Sequence, residues 1–118
     1  MRSFDQLFDR VIRFRDERDW KQFHHPKDLA ISIALEAAEL LEHFQWKGKD
    51  EVARDLQDPD QREALGEEMA DILILLLSAS DAVGIDLFDA TIRKIGKNAE
   101  KYPVEKARGN ATKYDQFG

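Results

Sequence analysis

Two stretches of this 118-residue chain carry carboxylates at a spacing that could do chemistry. Ala34 to Trp46 reads A-L-E-A-A-E-L-L-E-H-F-Q-W, and Glu67 to Leu77 reads E-E-M-A-D-I-L-I-L-L-L. Each sets two acids three residues apart, Glu36/Glu39 and Glu68/Asp71, among Ala, Leu, Met and Ile. On a helix such residues lie about 5–6 Å apart on one face. Two of these faces brought together make a four-carboxylate cluster walled by hydrocarbon, whose like charges repel unless a cation sits between them. A hard divalent ion, Mg²⁺ or Mn²⁺, fits that demand. A lone E-x-x-E says little, since most surface glutamates are merely solvated. Here the pairs flank small and apolar residues, and Asp71 stands at the mouth of an all-apolar run where an unpaired charge is costly.

The other chemistry available to helical acids is a di-iron centre, which needs a Glu-x-x-His pair on each of two helices. The residues three before His24, His25 and His43 are Lys21, Gln22 and Leu40, so that centre is excluded. With no cysteine, a thiolate zinc site and a cysteine nucleophile are excluded as well. Oxygen ligation of Mg²⁺ points to a nucleotide or similar polyphosphate, attacked at phosphorus by a metal-activated water. A glutamate not saturated by metal can take the proton, and Glu39 is the candidate. Trp20 and Trp46, the two tryptophans, stand near helix ends beside polar residues. Flat indoles can sandwich a nucleobase; packing at the core edge is the competing reading.

These groups need helices to position them. The composition, 42% hydrophobic and 36% charged, suits amphipathic helices. Four are expected: about 4–17, opened by the capping box of Ser3 and Gln6; Pro26 to about Gln45, stopped by Gly48; from the Asp58-Pro59 signature to about Val83, stopped by Gly84; and Leu87 to about Lys101, capped by Asp86. Residues 49–58 read as a surface connection with at most a short helical turn. The expected fold is an all-α four-helix bundle in one domain, 1–118, with residues 103–118 either a mobile end or a strap. The third helix is apolar on every side from Ile72 to Leu77, and four helices are too few to bury it fully. A homo-oligomer with this helix at the interface is expected, with a crowded monomeric core as the competing reading.

The net charge of −6 argues against binding a nucleic-acid polymer. It is uneven: from Arg93 to Lys113 seven basic residues face two acidic ones, giving this segment +5 and the remainder −11. A carboxylate-rich body with a basic end suits an anionic ligand held by cations and metal together. The longest apolar run is six residues, far short of the roughly 20 that span a bilayer. Neither a membrane segment nor a signal peptide is expected, and the location read from this is cytoplasmic.

The acidic words E-A-A-E at 36–39 and E-M-A-D at 68–71, separated by 28 residues, resemble the signature of the MazG-like all-α nucleoside triphosphate pyrophosphohydrolases. The words R-D-W at 18–20, F-Q-W at 44–46, K-Y-P at 101–103 and K-Y at 113–114 are similar to the dCTP pyrophosphatase branch. The resemblance implies a Mg²⁺-dependent enzyme that splits a nucleoside triphosphate, dCTP or a modified dCTP, into monophosphate and pyrophosphate. It implies Glu36, Glu39, Glu68 and Asp71 as metal ligands, Trp20 and Trp46 as base contacts, and Lys94 and Asn98 on a segment closing over the nucleotide. It also implies a tetramer built as a dimer of dimers. Eukaryotic members of the branch carry a histidine where this chain has Val11 and a tyrosine where it has Leu75, both thought to lie near the sugar or base. A dUTP or phosphoribosyl-ATP hydrolase of the same fold, or a helical interaction module without catalysis, are the competing functions.

Overall fold

The structure, a computed structural model, describes residues 2–116. All regular elements among them are helical. The six α-helices are α1 (Phe4–Glu17), α2 (Pro26–Glu42), α3 (Lys49–Asp55), α4 (Pro59–Val83), α5 (Leu87–Lys101) and α6 (Val104–Ala107). Single 3₁₀ turns form at Lys21–Phe23 and Tyr114–Gln116. The chain divides into two compact units, the first ending at Gly84 and the second beginning at Ile85.

The helix boundaries follow their capping chemistry. Ser3 Oγ accepts from the Gln6 amide at 3.1 Å, Asp58 Oδ1 from Asp60 at 3.0 Å and Asp86 Oδ1 from Asp89 at 3.0 Å. Pro26 and Pro59 occupy first-turn positions where no amide is needed. His25 adds a cap not anticipated: its Nδ1 accepts from the Lys27 amide at 3.1 Å. Gly84, at φ 71°, closes α4 in the left-handed region where a Cβ is costly.

Two expectations need correction. Helix α2 stops at Glu42, short of Gln45, because its last turn tightens: the amides of His43 and Phe44 bond three residues back, to Leu40 and Leu41. Trp46 then turns left-handed at φ 67°, so it is Trp46 that breaks the helical path, while Gly48 serves as the N-cap of α3. Helix α3 itself is a seven-residue helix in place of a loop with a single turn. Asp50 and Glu51 in its first turn and Arg54 in its last complement its dipole. Val52 and Leu56 line a small cavity with Phe44 and Leu65, so local charge and apolar packing agree.

In the first unit α2 packs along α4, and α1 along α4. Val11, Leu29 and Leu77, one from each of the three helices, are its buried apolar residues, with Leu77 at 0% exposure. Val11 is thus a core residue. Leu73, Ile74 and Leu76 on α4 remain exposed beside the buried Leu77. In the second unit, Phe88, Ile92 and Ile95 recur on one face of α5 and are exposed. Its end is tied to the tail: the Tyr114 ring meets Tyr102 edge-on at 6.0 Å, and Lys101 Nζ lies 5.0 Å from the Tyr114 centroid. Phe117, one of the apolar residues of the tail, lies outside the described residues.

Candidate metal centre

Because α2 and α4 lie side by side, their i,i+3 acids converge. Glu36, Glu39 and Glu68 each offer an oxygen, and these oxygens all lie within 4.8 Å of one another. Asp71 is exposed and is not among the three, but its charge is near enough to act on Glu36 and Glu68. Three of the four expected acids thus meet closely, and Asp71 stands beside them.

The electrostatics are those of a site short of positive charge. Glu68 is pushed up to about 7, first by a hydrogen bond shared with Glu39, then by burial and by the charges of Glu39, Glu36 and Asp71. Glu36 is raised too, by burial first and then by its hydrogen bond to Glu39 and the charges of Glu39 and Asp71, against a smaller opposing hydrogen bond from Glu68. Its Oε2 is buried with no hydrogen-bond partner. An orphaned carboxylate oxygen inside a cluster of acids is a position that a hard cation satisfies, and three oxygens at this separation match its preference for oxygen ligands. The residues fit a divalent ion.

Beside the triad lies an open depression of about 440 Å³, lined by Glu39, Glu42, His43, Lys47 and Glu68. Lys47 is held there by Asp55, Nζ to Oδ2 at 2.6 Å. His43 and Lys47 were not singled out from the sequence. The signal for His43 was available, since it lies one helical turn beyond Glu39; Lys47 depends on the tight turn after α2, which the sequence concealed.

The tryptophans are presented alike. Each follows a helix end at a left-handed residue: Asp19 at φ 52° precedes Trp20, and Trp46 itself has φ 67°. Trp46 is 93% exposed and Trp20 44%. Holding a bulky indole in solvent on a strained backbone is unfavourable for stability, and such strain gathers at sites that bind. Core-edge packing therefore does not describe Trp46. Trp20 leans edge-on against Phe14 at 5.7 Å. Lys94 and Asn98 lie one turn apart on α5 in the second unit, both exposed. Leu75 is half-buried on α4.

A family model described as the MazG-like family matches residues 31–117. The chain is 43% identical over 101 residues to mouse dCTP pyrophosphatase 1, covering 86% of this chain and 59% of that protein. It is 39% identical over 104 residues to the human protein of the same name, covering 88% and 61%. The chain thus spans about three fifths of the length of these relatives. Among solved structures it is similar to a pyrophosphatase from Archaeoglobus fulgidus, with a TM-score of 0.78 and 42% identity over 87% of this chain and 94% of that one.

Proposed function

From the premise that the chain belongs to the MazG-like family, we propose that it is a nucleoside triphosphate pyrophosphohydrolase that converts dCTP, or a modified dCTP, to the monophosphate and pyrophosphate. The observation that carries this reading is the glutamate triad, one member of which, Glu36, has a buried Oε2 without a hydrogen-bond partner. Relatives named dCTP pyrophosphatase 1 at 39–43% identity support the substrate class.

In this reading Glu36, Glu39, Glu68 and Asp71 hold Mg²⁺, with Mn²⁺ able to replace it. When bound, the ion lowers the pKa of water and neutralises charge on phosphate oxygens. The protein's own residues do the rest. Glu39, exposed at the border between the triad and the depression, takes the proton of the attacking water. Trp20 and Trp46 stack the base, and Lys94 and Asn98 are the substrate-binding residues of α5. Residues 1–118 are read as a single MazG-like domain, a reading supported by a family match with residues in both compact units. The assembly is a homo-oligomer, a tetramer made as a dimer of dimers, and the cytoplasm is its location. Among the described residues no helix is long and apolar enough to cross a membrane.

The test is pyrophosphate release from a panel of nucleotides with Mg²⁺. dCTP or 5-substituted dCTP turns over fastest, and Glu39→Gln lowers kcat by at least about 100-fold, the scale of a lost general base. Faster turnover of dUTP, phosphoribosyl-ATP or a purine nucleotide sinks the substrate claim; undiminished turnover in Glu39→Gln sinks the role given to Glu39.

A further inference from the structure

The R-D-W word at 18–20 contributes more than its tryptophan. Arg15, in the last turn of α1, is 4% exposed, and its guanidinium bridges two carboxylates. Nε donates to Asp16 Oδ1 at 2.9 Å and NH1 to Asp81 Oδ2 at 2.5 Å. Burial disfavours this charge, but the two carboxylates outweigh it and raise the guanidinium above its ordinary value. His24 lies close enough to feel the charges of both Arg15 and Asp81. Burial and the charge of Arg15 push it down despite the opposing charge of Asp81, and its Nδ1 is buried without a partner. Asp81 lies on α4, the helix that carries Glu68 and Asp71.

The same arginine shapes the turn that follows. Its carbonyl accepts from the amides of Arg18 and Trp20, at 3.2 and 3.1 Å, folding the chain back at left-handed Asp19. Arg18 lies beside the same pair of rings, Phe14 and Trp20. Its NH1 donates to the Phe14 carbonyl at 2.9 Å, and its guanidinium carbon lies 3.7 Å from the Phe14 centroid and 6.0 Å from that of Trp20.

We propose that Arg15 and Arg18 are positioning residues for Trp20, with Asp81 anchoring Arg15 so that the indole is held in fixed register with the acidic helix α4. This deepens the function proposed above and rests on it only where Trp20 is said to stack a base. Register matters because a stacked base and a metal-held phosphate are two ends of one ligand. An indole free to swing loses the contact without altering the chemistry at phosphorus.

In a Trp46→Phe background Trp20 is the sole indole, and its fluorescence reports its position. Asp81→Asn raises acrylamide quenching of Trp20 about twofold, and Arg18→Ala does likewise. With both tryptophans present, Asp81→Asn raises KM for dCTP about tenfold, the scale of a lost stacking contact, with kcat within about twofold. Asp81→Glu, which keeps the charge, recovers most of the loss. Unchanged quenching in folded Asp81→Asn overturns the proposal. Should that variant fail to fold by circular dichroism, Arg18→Ala decides alone, since the Arg18 side chain is 42% exposed, and unchanged quenching there overturns it. Failure of the stacking assignment looks different: Trp20→Ala then leaves KM unaltered while the quenching response to Asp81→Asn persists, and the positional claim stands.

Discussion

Glu68 is the residue at which the missing positive charge is most directly measurable. Its carboxyl is raised on folding from 4.5 to about 7. The folded chain therefore keeps a proton that the unfolded chain has already released, and stability from this group is present below pH 4.5 and lost as pH climbs through 7. Comparison with Glu68→Gln, which never ionises, isolates the effect. In EDTA, the melting temperature of the native protein minus that of Glu68→Gln falls between pH 4.5 and 7.5. Mg²⁺ at pH 7.5 restores the native protein more than the variant, because the ion takes the place of the proton. A gap that is flat across this range counts against the shared proton. The triad was legible in the E-A-A-E and E-M-A-D spacing because i,i+3 is a property of any helix. The separate standing of Asp71 was not, because it depends on how α2 is rotated against α4.

At the scale of elements, α4 does two jobs. One turn carries Glu68 and Asp71, and two turns further on it supplies Leu77, the most deeply buried side chain of the first unit. Leu77→Ala removes buried hydrocarbon from the contact among helices and costs about 2–5 kcal/mol. Chemical denaturation checks this: the midpoint drops sharply, whereas Leu73→Ala, at an exposed position, moves it little in the isolated chain. Helix starts were readable because caps are local: a serine or aspartate followed by an amide two or three residues on, with proline in the first turn. The end of α2 was not readable. A left-handed tryptophan is an unfavourable local choice, and nothing in the local pattern of residues 43–48 favours it over a glycine stop at Gly48. Helix α3 was hidden for the opposite reason: its polar sequence looks like a loop until Val52 and Leu56 find Phe44 and Leu65.

For the whole molecule, the small buried set and the exposed Leu73, Ile74, Leu76, Ile92 and Ile95 make self-association the expected way to remove apolar surface from water. Sedimentation equilibrium should give a mass of about four 13.6 kDa chains, with a dimer appearing on dilution. A charge placed at Ile74, outside the acidic triad, should lower the mass by at least half. A native protein that sediments as a monomer at micromolar concentration removes the oligomer from the proposal.

The sequence by itself determined the helical class, the four long helices with the N-terminal caps of three of them, and the two acidic pairs, because capping and i,i+3 spacing depend on residues a few positions apart. Only the tertiary structure decided which three glutamates bring their oxygens within 4.8 Å of one another, that Glu36 Oε2 has no partner, and that Arg15 reaches 66 residues along the chain to Asp81. Those facts arise from the packing of α1 and α2 on α4, which brings together residues far apart in the chain and is encoded in no local pattern.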